Sequence, residues 1–425
     1  MLVASQLKGA ELKTVSGNSS DKLALDGGEK AVKTSPAKIA RFGTPERERL
    51  DAMLSQDSLL YWQGPQTKLL MERVQKHHPF KYVMPCSSGT AAIHIAVAAA
   101  GIAPGDEVIT APITDMGTVI GIILQQAVPV FADLEPNTYN LSPADVERRI
   151  TPRTKAIVAV HLGGNPCDLN ALKAIADKHK LILIEDSAQA WGASYRGEPL
   201  GKIGHMSCFS LQNSKQLTCG DGGIVASNDD RFGPLLQKFG DKGFNRLTGK
   251  FEVFATNYRM SEPQAAVAAG QMTRLETICG TRARLGNLLS REIGGIDGIA
   301  AHQVAPEDRC TYYFYMLRFQ AKHFRCAREP FAAALRAEGV PAASGYIPTA
   351  IYQMDVFRKH DFFSGRWPVK EMGLTAMDYN QVKCPEAESI LNDCIRITIH
   401  ENMDEQYLRE VATGIRKVAK HFAVA

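Results

Sequence analysis

Several features are scarce in this chain, and each scarcity closes off a class of function. No apolar run approaches the roughly 20 residues of a bilayer-spanning helix. The longest weakly polar stretch, Ala91 to Ala103, is short and carries His94. Nine cysteines, an odd number, are scattered without a CxxC pair or metal-ligand spacing. No disulfide framework and no metal centre is therefore expected, and the thiols read as those of a reducing cytoplasm. Charge of one sign is also scarce: 49 Lys and Arg against 45 Asp and Glu leave +4 over 425 residues. The basic residues are not clustered, so neither nucleic acid nor an anionic membrane is an expected partner. There is no internal repeat or low-complexity tract, and Met1 to Ala24 lacks the apolar core of a secretory signal. What remains, 45% hydrophobic, is long enough for two packed units and reads as a globular cytoplasmic protein.

Taken in order, residues 1–40 mix Gly, Ser, Lys and Pro without periodicity and read as a loosely held, flexible N-terminal arm. Thr44-Pro45-Glu46 opens a helix to about Ser55, and Gln66 to His78 reads as a second. The strand Tyr82-Val83-Met84 then runs into Ser87-Ser88-Gly89-Thr90 and an Ala-rich helix. Strands Asp106 to Ala111, Val128 to Leu134, Lys155 to Leu162 and Leu181 to Ile184 alternate with helices ending near Gln126, opening at Ser142-Pro143 and spanning Asp168 to Lys180. Such alternation predicts a largely parallel sheet covered on both faces. Short strands Met206 to Leu211 and Gly223 to Ser227 bracket Lys215. A long helical stretch from Ser261 to about Gly294, interrupted by Gly270, Gly280 and Gly286, leads to a smaller unit. That unit has an aromatic strand Tyr312 to Leu317, a helix from Ala327 to about Glu338 and a closing helix Asp404 to Phe422. The division expected is an arm 1–40, a large cofactor-binding domain 41–280 and a small C-terminal α+β domain 281–425.

The chemistry centres on Lys215, set between a strand ending in small polar residues and Gly220-Asp221-Gly222-Gly223, where backbone packs tightly. An inward amine calls for a partner, because a desolvated ammonium is costly, and Schiff-base chemistry supplies one. Leu181-Ile182-Leu183-Ile184 places Glu185-Asp186 at the carboxyl end of an apolar strand, where ligands of open α/β sheets collect. Lys215 with a strand-end Asp186 suggests pyridoxal phosphate. The Ser88-Gly89-Thr90 helix start would hold its phosphate, although such a stretch alone is an ordinary helix cap. Asp186 would pair with the ring nitrogen, Ala188 lie against a ring face and Gln189 bond the ring oxygen. His161 and His400 read as structural histidines, and Tyr312, Tyr313 and Tyr315 as core. Cys86 and Cys219 read as small packing residues.

In combination, Ser87-Ser88-Gly89-Thr90, Glu185 to Ala190, Phe209-Ser210 with Lys215 five residues on, Gly220 to Gly223 and Asn257-Tyr258-Arg259-Met260 resemble the DegT/StrS family of sugar and cyclitol aminotransferases over roughly residues 45–420. The resemblance implies an aspartate-aminotransferase-like fold (type I of the pyridoxal-phosphate enzymes), a homodimer with shared active sites, and pyridoxal 5'-phosphate as cofactor. It implies that Gly89, Thr90 and Ser210 bind the phosphate, that Asn257 reaches it from the other subunit, and that Lys215 forms the Schiff base. Lysine there favours transamination over the dehydratase chemistry of relatives that carry His. One position departs from the family: where relatives follow Pro-x-x-Thr with an aromatic that stacks on the cofactor, this chain has Pro112-Ile113-Thr114-Asp115-Met116. Asp115 cannot stack, and Met116 is the nearest substitute.

The activity expected is conversion of a keto group on a sugar or cyclitol to an amine, with L-glutamate or L-glutamine as donor. Gln212-Asn213-Ser214-Lys215 is nearer to the Gln-x-x-Lys of cyclitol and aminobenzoate-forming relatives, which favours a keto-cyclitol or related keto-sugar. Two alternatives stand beside this one: a pyridoxal-phosphate dehydratase or lyase on the same fold, and a non-catalytic cofactor-binding regulator.

Overall fold

A computed structural model describes residues 22–38 and 40–424; the first half of the expected arm lies outside the described residues. Short apolar runs rich in Val and Ile form β1 (Tyr82–Cys86), β2 (Glu107–Thr110), β3 (Val128–Phe131), β4 (Thr154–Val160), β5 (Ile182–Asp186), β6 (Met206–Ser210) and β7 (Gly223–Ser227). They make one sheet in the order β1-β7-β6-β5-β4-β2-β3. Strands β2 to β6 pair in parallel, and β7 runs against both β1 and β6. Burial on both faces explains why these strands read as continuous apolar runs.

Helices α1 (Thr44–Leu54), α2 (Pro65–His77), α3 (Gly89–Ala99), α4 (Met116–Leu124), α5 (Pro143–Arg149), α6 (Leu169–His179), α7 (Gly233–Gly240), α8 (Glu262–Met272) and α9 (Leu275–Ile293) flank the sheet. Ile95, Val97 and Leu236 of α3 and α7 cluster with Met84, Val158, Met206 and Val225. Leu70, Val74, Ala265 and Ala269 of α2 and α8 cluster with Val83, Phe209 and Ile224 on the other side. Each fully buried aliphatic or aromatic side chain contributes about 1.5–3 kcal/mol. The strand ends that carry the site are thus held by a packed core rather than by local propensity.

The stretch from Ser261 to Gly294 is two helices rather than one. The break falls at Thr273-Arg274, and Gly270 and Gly286 lie inside the helices as contact points. A Cβ at Gly270 would come within 2.9 Å of the Glu46 backbone, and one at Gly286 within 2.3 Å of the Tyr312 ring. Helix α9 runs through residue 280 into the second unit.

That unit has an antiparallel sheet of β8 (Ile299–Ala300), β9 (Tyr315–Phe319), β10 (Ala342–Ser344) and β11 (Cys394–Ile397), in the order β8-β9-β11-β10. Helices α10 (Arg328–Ala337) and α11 (Glu405–Phe422) cover it, with Phe331, Val411 and Ile415 against Tyr315, Leu317 and Ile397. Asp404 caps α11 through the Tyr407 amide at 2.8 Å. Tyr352, Phe357, Trp367 and Tyr379 pack instead into the core built on Ile109, Phe131 and Ile157.

Residues 22–38 are not the loose segment their composition suggests. Leu23 and Val32 are buried in the second core. The buried Glu338 carboxylate accepts the Ala24 and Ala31 amides at 2.8 and 2.9 Å and pairs with Lys417. Glu410 accepts both the Lys33 and Thr34 amides, and Ala37 exchanges two hydrogen bonds with Asn402. Their partners lie between 307 and 377 residues away, outside any local pattern.

No helix among the described residues is long and apolar enough to cross a membrane. No group of three or more His, Cys, Asp or Glu among them is placed to hold a metal ion.

Candidate active site

Because β1, β2, β4, β5 and β6 share a direction, their carboxyl ends meet on one edge of the sheet, where the chain leaves each strand for a loop. Ser88 to Thr90, Thr114 to Thr118, His161 to Gly164, Asp186 to Gln189 and Ser210 to Lys215 all emerge there.

Ser88 is the N-cap of α3, its hydroxyl accepting the Ala91 amide at 3.0 Å. Gly89 lies against Ser210, so close that an added Cβ would sit 2.8 Å from the Ser210 Cβ. A Cβ at Gly223 would meet the Ser88 carbonyl oxygen at 2.3 Å. Glycine at both places lets β6 and β7 close on the helix start, which brings Ser88, Gly89, Thr90 and Ser210 together. Amides at this positive helix end, flanked by hydroxyls, could hold a phosphate.

Asp186 ends β5 and is buried. Its Oδ2 accepts the Thr118 hydroxyl at 2.7 Å and its Oδ1 the Ala188 amide at 3.1 Å. Burial raises its pKa, outweighing those two donors and the more distant positive charge of Lys215. A buried carboxylate compensated so sparingly favours a cationic partner, and the protonated ring nitrogen of pyridoxal phosphate is one. Gln189, also buried, accepts the Gly163 amide at 2.8 Å and donates to the Tyr346 hydroxyl at 3.0 Å. Ala188 between them is only half-buried.

Lys215 is 9% exposed. Its Nζ stands 4.4 Å from the centre of the Tyr313 ring, and no carboxylate pairs with it among the described residues. The loop presenting it is built locally. Gln212 accepts the Ser214 amide and hydroxyl, both at 2.7 Å, and its carbonyl accepts the Lys215 amide at 2.9 Å. Ser214 bonds the Tyr313 hydroxyl at 2.6 Å, and Arg41 donates to the Lys215 carbonyl. The residues thus fit pyridoxal phosphate: a phosphate seat, a buried carboxylate and a buried lysine free of carboxylate partners line one sheet edge.

Asn257 differs from the others. It is exposed, follows the hairpin Phe244–Asn245 and Lys250–Phe251, and its Oδ1 accepts the Arg259 amide at 3.4 Å. In its own chain its side chain bonds none of the residues above. Asp115 is the exposed N-cap of α4, with Oδ1 accepting the Gly117 amide at 2.8 Å and Oδ2 without a partner among the described residues. Its negative charge contributes, after burial, to the raised pKa of Tyr346, which places it on the Tyr346 side of the site.

Several site residues carried no sequence signal. Thr118, Tyr346 and Arg41 belong to no recognisable motif. Of the three tyrosines expected in the core, Tyr312 and Tyr315 are buried, whereas Tyr313 is half-buried at Lys215. The reason lies in the backbone: Tyr312 has φ 38°, which breaks the strand-like alternation, and β9 begins only at Tyr315. His161 is fully buried, its Nδ1 accepting the Cys167 amide at 3.0 Å and its Nε2 facing Glu185 at 3.4 Å, so both nitrogens are engaged structurally. Burial pushes the Cys86 and Cys219 thiols up to about 12, consistent with inert packing residues.

The DegT/DnrJ/EryC1/StrS aminotransferase family profile matches residues 43–416. UDP-2-acetamido-2-deoxy-3-oxo-D-glucuronate aminotransferase of Pseudomonas aeruginosa is 35% identical over 287 residues, 67% of this chain and 78% of its own. A putative L-glutamine:3-amino-2,3-dideoxy-scyllo-inosose aminotransferase of Micromonospora echinospora is 32% identical over 386 residues, 88% of this chain and 90% of its own. The crystal structure of 3-amino-5-hydroxybenzoic acid synthase shares the fold with a TM-score of 0.79 and 27% identity, covering 91% of this chain and 100% of that one. The expected aspartate-aminotransferase-like architecture, a large mostly parallel sheet with a smaller α+β unit, is therefore present. With the profile spanning both units and every strand end described above, the chain belongs to the DegT/DnrJ/EryC1/StrS aminotransferase family.

Proposed function

We propose that the protein is a pyridoxal-phosphate-dependent transaminase that converts a keto group of a sugar or cyclitol to an amine, taking the amino group from L-glutamate or L-glutamine. The observation that carries this reading is the buried Lys215, without a carboxylate partner, on the same sheet edge as the buried Asp186. The cofactor, when bound, supplies an electron sink for the carbanion at the amino-bearing carbon. Ser88, Gly89, Thr90 and Ser210 would hold its phosphate, Asp186 its ring nitrogen and Gln189 its ring oxygen. Thr118 and the Ala188 amide fix the Asp186 carboxylate, and Tyr346 and Gly163 fix the Gln189 amide. Lys215 Nζ takes the proton from the substrate carbon and returns it to complete the transfer. Tyr313 and Ser214 position that amine. Donor and acceptor use one site in turn, so ping-pong kinetics follow.

The two curated relatives, named for a nucleotide keto-sugar and a keto-cyclitol, support a polyhydroxylated acceptor. Gln212 folded under Ser214 matches the Gln-x-x-Lys pattern that favours the cyclitol, and the unpartnered Asp115 Oδ2 offers an acceptor for a substrate hydroxyl. A screen of keto-cyclitols and nucleotide keto-sugars with glutamate or glutamine, read by mass spectrometry, tests the reading. Amine product that forms only with an amino donor supports it; release of a dehydrated product without donor consumption contradicts it.

The same reading makes the chain a homodimer with shared sites, with 41–280 as its cofactor-binding domain and 281–425 as its smaller one. Leu247, Phe251 and Phe254 are 89%, 69% and 104% exposed on the segment leading to Asn257, an apolar display that a second copy would cover. Asn257 would then serve the phosphate of the neighbouring subunit. If so, inactive Lys215→Ala and weakened Asn257→Ala chains should recover activity on mixing, because a mixed dimer puts both defects in one site. Proven subunit exchange without recovery counts against the shared site.

A further inference from the structure

Among the described residues three guanidinium groups have a buried Nε without a hydrogen-bond partner; Arg274 already pairs with Glu46 at 2.5 Å, which leaves Arg41 and Arg396. They differ in what surrounds them. Arg396 lies on β11, 6.0 Å from the Phe314 ring, which packs in turn against the Tyr346 ring at 4.6 Å. Arg41 lies at the end of the N-terminal segment and reaches the Lys215 loop itself, donating one Nη to the Lys215 carbonyl. Gln271 and Arg274 donate to the Arg41 carbonyl at 2.9 and 3.0 Å, which fixes its backbone.

The charges around Arg41 do not balance. The carboxylate that acts on it most, Glu401, is engaged by Arg282 at 2.7 Å, and Arg282 is further bonded to the Ile399 carbonyl at 3.0 Å. Burial lowers the Arg41 pKa, and Arg282 adds positive charge from the same side. His400 faces Glu401 Oε2 through its Nδ1 at 3.4 Å, and burial with the positive charges of Arg282 and Arg41 lowers its pKa against the pull of Glu401. Tyr313, the ring beside Lys215 Nζ, is within electrostatic reach of Arg41. A half-buried guanidinium with an open N–H, one acceptor already used and no carboxylate of its own is costly unless an anion arrives.

The geometry points to Arg41, with His400 beside it, as the seat of a carboxylate of the amino donor. This rests on the transaminase reading above, since it is that reading which puts an amino acid at Lys215. The guanidinium plane matches a carboxylate in two-point contact, and one unbalanced charge matches one carboxylate. The N-terminal segment thereby gains a role: Glu338, Glu410 and Asn402 tie it to the second unit, and its last residues deliver a donor-binding arginine to the lysine loop.

The test uses the cofactor-loaded full chain and two readouts. Calorimetric titration with glutarate, which has the carboxylates of glutamate but no amine to react, reads binding alone. Single-turnover absorbance with the donor alone reads its dissociation constant and its saturated rate. Arg41→Gln should weaken glutarate and donor binding by about ten- to a hundredfold, the range for a lost charge-assisted contact, with the saturated rate within a few-fold. Arg41→Lys should recover part of the affinity, and Arg396→Gln should leave it unchanged. The assignment is overturned if wild type does not bind glutarate, if Arg396→Gln and not Arg41→Gln carries the loss, or if only the acceptor half-reaction responds. It is also overturned if Arg41→Gln changes the saturated rate and the cofactor absorbance but not glutarate affinity, the pattern of a residue that only positions the Lys215 carbonyl. Absence of any donor-induced absorbance change in wild type overturns the transaminase reading itself, and shows before a variant is made.

Discussion

The cofactor end of the site and its substrate rim are built in opposite ways. At the cofactor end the groups other than the Lys215 amine are held mainly by neighbours in the large unit: Asp186 has Thr118 and the Ala188 amide, Gln189 has the Gly163 amide besides Tyr346, and Gly89 fits against Ser210. At the rim, side chains from distant parts of the chain converge with capacity to spare. Tyr313 and Tyr346 come from the second unit, Arg41 from the N-terminal segment and Asp115 from the start of α4, and Arg41 Nε and Asp115 Oδ2 bond nothing. A fixed end suits a group held through every turnover, and an unsatisfied rim suits substrates that come and go.

The largest effect that would break this contrast is at Lys215. Lys215→Ala should lower turnover by roughly 10⁴-fold, the upper range for loss of a positioned proton carrier. Steady-state rates above one per cent of wild type would remove Lys215 from the chemistry. Next comes Asp186→Asn, which should keep the cofactor bound but slow donor conversion about a hundredfold, or about 3 kcal/mol, because a neutral amide no longer favours a protonated ring nitrogen. A single-turnover rate equal to wild type would leave Asp186 a merely structural residue.

A smaller effect should separate the rim from the fixed end. Asp115→Asn keeps an N-cap for α4, yet should weaken the acceptor half-reaction by about tenfold while sparing the donor half, as loss of one hydrogen bond to a charged group implies. Asp115→Phe should do the same, with stacking offsetting part of the lost cap by about 0.5–1.5 kcal/mol. Equal losses in both halves, with weakened cofactor retention, would assign Asp115 to the cofactor end instead.

The smallest effect concerns stability. Asp241, fully buried, accepts the Tyr61 hydroxyl and Arg246 Nε, both at 2.6 Å, and Arg259 at 3.0 Å, and bridges to Asn257. Burial opposes its ionisation, but Arg246, Tyr61 and Arg259 prevail and hold its carboxyl below the ordinary range. A depressed folded pKa contributes stability that is full well above the unfolded value of about 3.9 and declines as pH falls from about 5 through the folded value. Asp241→Asn should cost about 2 kcal/mol at pH 7, since the guanidinium groups are partly solvated, and should flatten the decline below pH 5. Denaturant midpoints at pH 7 and pH 3.5 check both; an unchanged slope would mean that Asp241 is not the group titrating there.

The same contrast explains what could be read from the sequence. Ser88-Gly89-Thr90, Asp186 to Gln189 and Ser210 to Lys215 each sit in one short stretch at a strand end, where apolar runs and turn residues mark the position. The alternating units of the large sheet were legible for that reason. Tyr313 was misplaced because a residue at φ 38° before it breaks the alternation. The hold on residues 22–38 was invisible because it comes from Glu338 and Glu410, between 307 and 377 residues away, and Gly270 and Gly286 looked like breaks because their neighbours Glu46 and Tyr312 belong to other elements.

Borohydride reduction followed by peptide mapping decides whether Lys215 carries the cofactor. A yellow protein should lose its visible band on reduction and yield one covalently labelled peptide containing Lys215, with no label in Lys215→Ala. Label on any other lysine, or equal label in the variant, would remove Lys215 from that role.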